Sequence, residues 1–224
     1  MPSYFDLRGT MRFSQFAGLA TLVSVAAIAG AQTATMPPQV GSFTGSTRGY
    51  YFTAPTDFIM TGINVLPITG STFALQNFAV VRFDGATPPP TFPTATNAFT
   101  QLALGLDQTA NVFQPLNLTI NAGDVIGIYG NMVAAPGATS GQNSYGNGTI
   151  GTTIFGNNVV LNRSGMQFHL GAATSPTGMH DLWAEPTSTN ITRVEFTYAP
   201  VPEPATLAAL GLGAAALLRR RKKA

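Results

Sequence analysis

Between its two ends the chain has no apolar run at helical period longer than two turns, whereas short alternating or β-branched segments recur between clusters of Gly, Asn, Asp and Pro. That pattern restricts the interior to strands and turns. Only 9% of the 224 residues are charged, while 24 are Gly and 16 are Pro, a composition that supplies turns and starves helices of Glu and Lys. Candidate strands are 49–54, 58–66, 73–83, 99–104, 112–120, 124–129, 149–155, 159–162, 166–170 and 192–198. Nine or ten short strands without crossover helices predict an all-β fold, an antiparallel β-sandwich rather than a parallel sheet.

The clearest local signal spans 115–129. Leu116, Leu118 and Ile120 alternate with Asn117 and Thr119, then Asn121, Ala122, Gly123 and Asp124 form a turn signal, and an apolar run resumes at Val125. A hairpin is the expectation. The last strand places Val194, Phe196 and Tyr198 on one face, with Arg193, Glu195 and Thr197 on the other. The proline-rich stretch 87–93 and the Gly/Ser/Asn-rich stretch 137–148 read as exposed loops, the kind of segment that carries binding sites in many folds.

Both ends depart from this pattern. Arg12 precedes an apolar stretch over 16–28, followed by Ala29, Gly30 and Ala31. This is the three-part layout of a secretory signal peptide with an A-x-A site, so 1–31 is expected to be removed after Ala31, with Met11 as an alternative start. At the other end, fourteen apolar or small residues over 205–218 follow Val201, Pro202, Glu203 and Pro204, and lead into Arg219, Arg220, Arg221, Lys222 and Lys223. As a helix this segment is roughly 21 Å long at about 1.5 Å per residue. The hydrocarbon core is about 30 Å thick, so the span is marginal. The basic cluster stays on the cytoplasmic side and directs the preceding chain outward, the same topology that the N-terminal signal demands. A flanking signal helix and a C-terminal transmembrane helix are therefore expected on either side of the sandwich.

The formal net charge of +2 comes from those ends. Between Thr33 and Tyr198, four arginines face seven acidic residues, which leaves −3. Nucleic acid is excluded as an expected partner, because its binding draws on clustered positive charge. With no cysteine, neither a disulfide framework nor a thiolate metal site is available.

The string V-P-E-P-A-T-L-A-A-L-G-L-G-A-A-A-L-L-R-R-R-K-K resembles a PEP-CTERM sorting signal, in which a Pro-Glu-Pro motif, a short transmembrane helix and a basic cluster occur in that order. The resemblance implies that Pro202, Glu203 and Pro204 are recognition residues for an exosortase-type membrane enzyme that removes the tail. It also implies an exported protein, carried by the Sec machinery and transiently anchored in the cytoplasmic membrane before it reaches the cell surface or medium. Since proteins with such tails accompany extracellular polysaccharide, a structural or adhesive role in biofilm material follows as an expectation. The phrase L-T-I-N-A-G-D-V-I-G-I-Y resembles a hairpin of jelly-roll sandwiches, which implies a jelly-roll-like body. The organisation expected is thus a signal peptide over 1–31, an ectodomain over 32–199 and a sorting signal over 200–224, with its helix at 205–218 and basic tail at 219–223.

Candidate chemistry in the body is sparse. His180, Asp181 and Glu185 cluster around Trp183, and an imidazole with two carboxylates can ligate a metal or move protons. No H-E-x-x-H, G-x-S-x-G or EF-hand pattern accompanies them, so no catalytic residue, metal or cofactor is assigned and a non-enzymatic protein is expected. His169, between Phe168 and Leu170, is expected to point outward from a strand. Trp183, Tyr145, Tyr50 and Tyr51 offer rings for sugar stacking, and Asp84 and Asp124 offer oxygens for calcium or for turns. Two rival functions remain open at this point: a carbohydrate-binding module and a secreted hydrolase. For the tail, the rival is a permanent membrane anchor.

Overall fold

Short apolar segments separated by turn residues can bury themselves only by pairing, and in the computed structural model the described residues, 30–147, 151–174 and 178–202, form fifteen strands and no α-helix. In chain order these are β1 (Gln32–Ala34), β2 (Gln39–Gly45), β3 (Arg48–Thr53), β4 (Phe58–Val65), β5 (Leu75–Phe83), β6 (Phe99–Thr109), β7 (Gln114–Ile120) and β8 (Val125–Val133). They continue with β9 (Gly141–Asn147), β10 (Gly151–Ile154), β11 (Asn157–Val160), β12 (Asn162–Met166), β13 (Leu182–Ala184), β14 (Asn190–Thr192) and β15 (Val194–Ala199). One sheet has the order β1-β15-β4-β7. The larger sheet runs β13-β12-β3-β8-β5-β6, and β9, flanked by β2 and β14, joins it through the pairing of Met132 with Gln142. A separate hairpin pairs β10 with β11, and every ladder between strands is antiparallel.

The two sheets pack face to face. Phe52 of β3 stacks on Phe196 of β15 with centroids 5.7 Å apart, Phe58 of β4 lies 6.3 Å from Phe196, and Ile63, Val80, Ile126 and Ile128 fill the same buried layer. Tyr50 spans the layer and donates its hydroxyl to the Val194 carbonyl at 2.6 Å, so the burial of its ring leaves no polar atom unpaired. A second apolar layer covers the opposite face of the larger sheet, where Val81, Phe83 and Tyr129 meet Met166, Leu170 and Leu182 from the segments around β12 and β13. With both faces covered, β8 is buried along its whole length, whereas β7, at the edge of the smaller sheet, alternates between sheltered and exposed positions.

That difference overturns the expected hairpin. β7 pairs with β4 in the smaller sheet, and β8 pairs with β3 and β5 in the larger one. The turn between them is therefore a corner between layers. It is closed by Asp124, whose carboxylate accepts from the Asn121 amide at 3.0 Å, and by Gly123 at φ +87°. The stretch 137–148, expected as a loop, contains β9, which sits between β2 and β14. The expected strand 159–162 is split between β11 and β12, and 166–170 leaves the sheet after Met166. His169 consequently lies inward at 5% exposure, while Phe168 is 40% exposed, the reverse of the expectation from strand alternation. The proline-rich stretch is exposed over most of its length, yet it also covers an edge: the Ala184 amide donates to the Pro90 carbonyl at 2.7 Å, and Thr96 exchanges backbone bonds with Leu182. The expected signal helix (1–31) lies outside the described residues up to Ala29, and the expected membrane helix (205–218) and basic tail (219–223) lie wholly outside them.

Candidate functional site

The two ends of the sandwich meet on one strand pair. β1 runs antiparallel to β15, with Gln32 opposite Tyr198 and Ala34 opposite Phe196, so the chain enters and leaves at the same corner of the smaller sheet. Tyr198 holds that corner. Its ring packs against Phe58, Phe155 and Phe196, and its hydroxyl is shared between Gln32 Oε1 and the Thr153 carbonyl, each at 3.0 Å. β15 ends at Ala199, and Pro200 and Pro202 lack the amide protons needed to extend a ladder. Val201 and Pro202 are exposed. The start of the sorting motif therefore lies outside the sheet and open to solvent. Gly30 and Ala31, beside the expected cleavage point, are exposed as well, whereas Ala29, Glu203, Pro204 and Arg219, Arg220, Arg221, Lys222 and Lys223 lie outside the described residues.

The cluster around Trp183 separates into two unrelated groups. Glu185 is held by arginines from two strands, its Oε2 lying 2.6 Å from Arg163 Nε and its Oε1 3.5 Å from Arg48 Nε, while Trp183 Nε1 donates to Oε1 at 3.1 Å. Arg163 also donates to Ser188 Oγ at 2.8 Å and to the Tyr145 hydroxyl at 3.1 Å. Arg48 packs its guanidinium over the rings of Phe43 and Trp183. Burial holds the Arg48 guanidinium below its ordinary pKa, although Glu185 opposes that shift. Both oxygens of the Glu185 carboxylate are thus engaged by groups of the fold itself.

His180 and Asp181 form the other group. His180 Nδ1 lies 3.3 Å from Asp181 Oδ2, and Asn97 donates to Asp181 Oδ1 at 2.8 Å while accepting from the Asp181 amide at 2.8 Å. The Asn97 bond, and then the His180 contact, hold the Asp181 carboxyl below the usual range. The ring of His180 packs at a tilt of 40° on Phe168, with centroids 4.6 Å apart. Glu185 engages the arginines instead of joining this pair, so the three candidate groups share no ligand set; no cluster of three His, Cys, Asp or Glu suited to a metal occurs among the described residues.

The candidate sugar-stacking rings are mostly inside. Trp183, Tyr145 and Tyr50 are 4%, 5% and 0% exposed, and only Tyr51 keeps an intermediate surface. Among the described residues the larger exposed rings are Phe92, which leans on Trp183 at 5.4 Å, Phe168 and Phe113, none of them put forward from the sequence as a stacking ring. Asp124 is occupied by its turn and lies 3.9 Å from Arg82. Asp84 caps a shallow groove of about 420 Å³ lined by Phe83, Thr87, Pro88, Pro90 and Thr96. His169 belongs to a buried polar anchor: Thr47 donates to Asn131 Oδ1 at 3.2 Å and accepts from the Leu170 amide at 2.8 Å, and the Asn131 amide nitrogen lies 3.3 Å from the imidazole. No helix among the described residues is long and apolar enough to cross a membrane.

Residues 200–222 match the PEP-CTERM protein-sorting motif. The chain therefore carries a sorting signal that marks an exported protein handled by exosortase, and the motif begins one residue beyond β15. No curated protein and no solved structure matches the chain.

Proposed function

We propose that this chain is a non-enzymatic cell-surface or matrix protein, whose β-sandwich is carried outward by a cleaved signal peptide, parked at the membrane by its tail and freed or attached by exosortase. The observation that carries this reading is the sorting motif over 200–222, exposed at its first residues immediately after the last strand. The strand order supports a jelly-roll body: β1, β4, β7 and β15 share one sheet, β3, β5, β6 and β8 lie in the other, and the chain crosses between these layers from β3 to β4, β4 to β5, β6 to β7, β7 to β8 and β14 to β15. Association with extracellular polysaccharide completes the proposal. The burial of Trp183, Tyr145 and Tyr50 leaves any such contact to other surfaces.

Mass spectrometry of protein from membrane, cell-wall and medium fractions tests the sorting reading. The expected mature product begins at Gln32 and lacks Arg219, Arg220, Arg221, Lys222 and Lys223; full-length tail in stably membrane-bound material would favour a permanent anchor. Retention on isolated extracellular polysaccharide tests the adhesive part, which fails if the purified sandwich elutes with the void at low and physiological salt.

A further inference from the structure

We propose that Gln32 of the mature protein closes into an N-terminal lactam, and that the Tyr198 hydroxyl positions it to do so. The inference rests on signal cleavage after Ala31, which places a new α-amine on the residue that begins β1. Gln32 then carries both reactants, an amine and a side-chain amide three carbons away, and their closure to a five-membered ring needs no second molecule. β1 is an edge strand of three residues paired only with β15, and Gln32 is exposed, so the amine can turn back onto its own side chain.

Tyr198 supplies the structural part of the proposal. Its hydroxyl, fixed by a ring that is 3% exposed, donates to Gln32 Oε1 at 3.0 Å in a bond shared with the Thr153 carbonyl at the same distance. A donor at that oxygen draws charge from the amide carbon and stabilises the oxyanion that forms when the amine attacks. The new bond joins the α-nitrogen to Cδ, the bond from Cδ to Nε2 breaks, and ammonia leaves with the proton given up by the amine. No oxidant or co-reactant enters. The lactam keeps the carbonyl oxygen and loses the terminal positive charge, which leaves the strand that covers β15 without a free amine for aminopeptidases.

The test is peptide mass spectrometry on full-length protein exported by its native host and sampled over time at neutral pH. The expected first peptide begins at Gln32, is lighter by one ammonia, and resists Edman degradation until pyroglutamate aminopeptidase removes the blocked residue and exposes Thr33. The fraction closed should grow several-fold faster in folded protein than in the same chain held in urea, and Tyr198→Phe should slow closure while β-sheet circular dichroism is retained. A first peptide that begins at Gln32 and keeps its free amine overturns the lactam while leaving the export reading intact. One that begins elsewhere overturns both the cleavage position and the lactam. Equal rates in folded and unfolded protein remove Tyr198 from the proposal, whether or not its variant folds.

Discussion

Glu185 is the residue on which most of the buried charge depends. It faces two guanidinium groups whose side chains are only 14% and 13% exposed, so removing its charge leaves two like cations sheltered from water. Glu185→Gln is expected to cost about 2 kcal/mol, below the range for a fully buried pair because all three groups keep some solvent. The measurement is a shift in the urea midpoint at unchanged slope. His169 gives a second prediction, with a sign that follows from burial. Its folded pKa is lowered from 6.5 because burial disfavours the imidazolium, with the Leu170 carbonyl opposing more weakly. The unfolded chain therefore binds more protons just below the ordinary value, and stability falls as the pH drops through about 6.5 towards the lowered folded value. His169→Gln should flatten that slope between neutral and mildly acidic pH, and an unchanged pH profile would refute the assignment. None of this was legible in sequence: Arg48, Arg163 and Glu185 come from separate segments, and the alternation rule that turned His169 outward fails once the chain leaves the sheet at Met166.

At the scale of elements, periodicity found the longer apolar strands, missed β1, β2, β9 and β13, and placed partners poorly. β7 reads as half-exposed and β8 as doubly buried, as an edge strand and a central strand should. The intervening turn residues were nevertheless compatible with a hairpin or a corner, since Asn-x-Gly-Asp chemistry fixes a reversal and says nothing of which sheet receives the next strand. β9 was missed for a different reason. Its sequence GQNSYGN has the composition of a loop, but its polar groups are used internally: Asn143 accepts from the Arg48 amide at 2.9 Å and donates to the Ser46 carbonyl at 3.1 Å. Close packing makes a third prediction on β12. A Cβ at Gly165 would lie 2.8 Å from the Trp183 ring, which is itself held by Glu185 and Arg48. Gly165→Ala should therefore destabilise by about 1–3 kcal/mol, the usual cost of overpacking, with a matching change in indole fluorescence. No change in either would show that β13 can shift freely on its edge.

For the molecule as a whole, the C-terminal sorting motif over 200–222 was the most legible part, because such a signal is read as a linear string whereas the body must be read through contacts. The sandwich adds one geometric fact to that string: Gln32 faces Tyr198 and the motif follows β15 directly, so the cleavage point expected after Ala31 and the start of the sorting motif lie at one corner. What keeps the tail transient, on the proposed reading, is its length. As a helix, which the sorting resemblance implies, the fourteen residues over 205–218 would supply roughly 21 Å at about 1.5 Å per residue. A bilayer core of about 30 Å leaves a deficit that arginine and lysine stems only partly bridge. Inserting six leucines after Leu218 would bring the stretch to about twenty apolar residues, long enough to span, and add about −2 to −4 kcal/mol of insertion free energy. The basic cluster and the Pro-Glu-Pro motif stay intact in that variant, so topology and recognition should be unaffected. The expected outcome is a shift of the protein from medium and wall to alkali-resistant membrane fractions, with the sandwich still accessible to protease from outside. If the lengthened and native tails release the sandwich at the same rate, the short helix is not what limits its stay at the membrane, and recognition of the motif alone sets the timing.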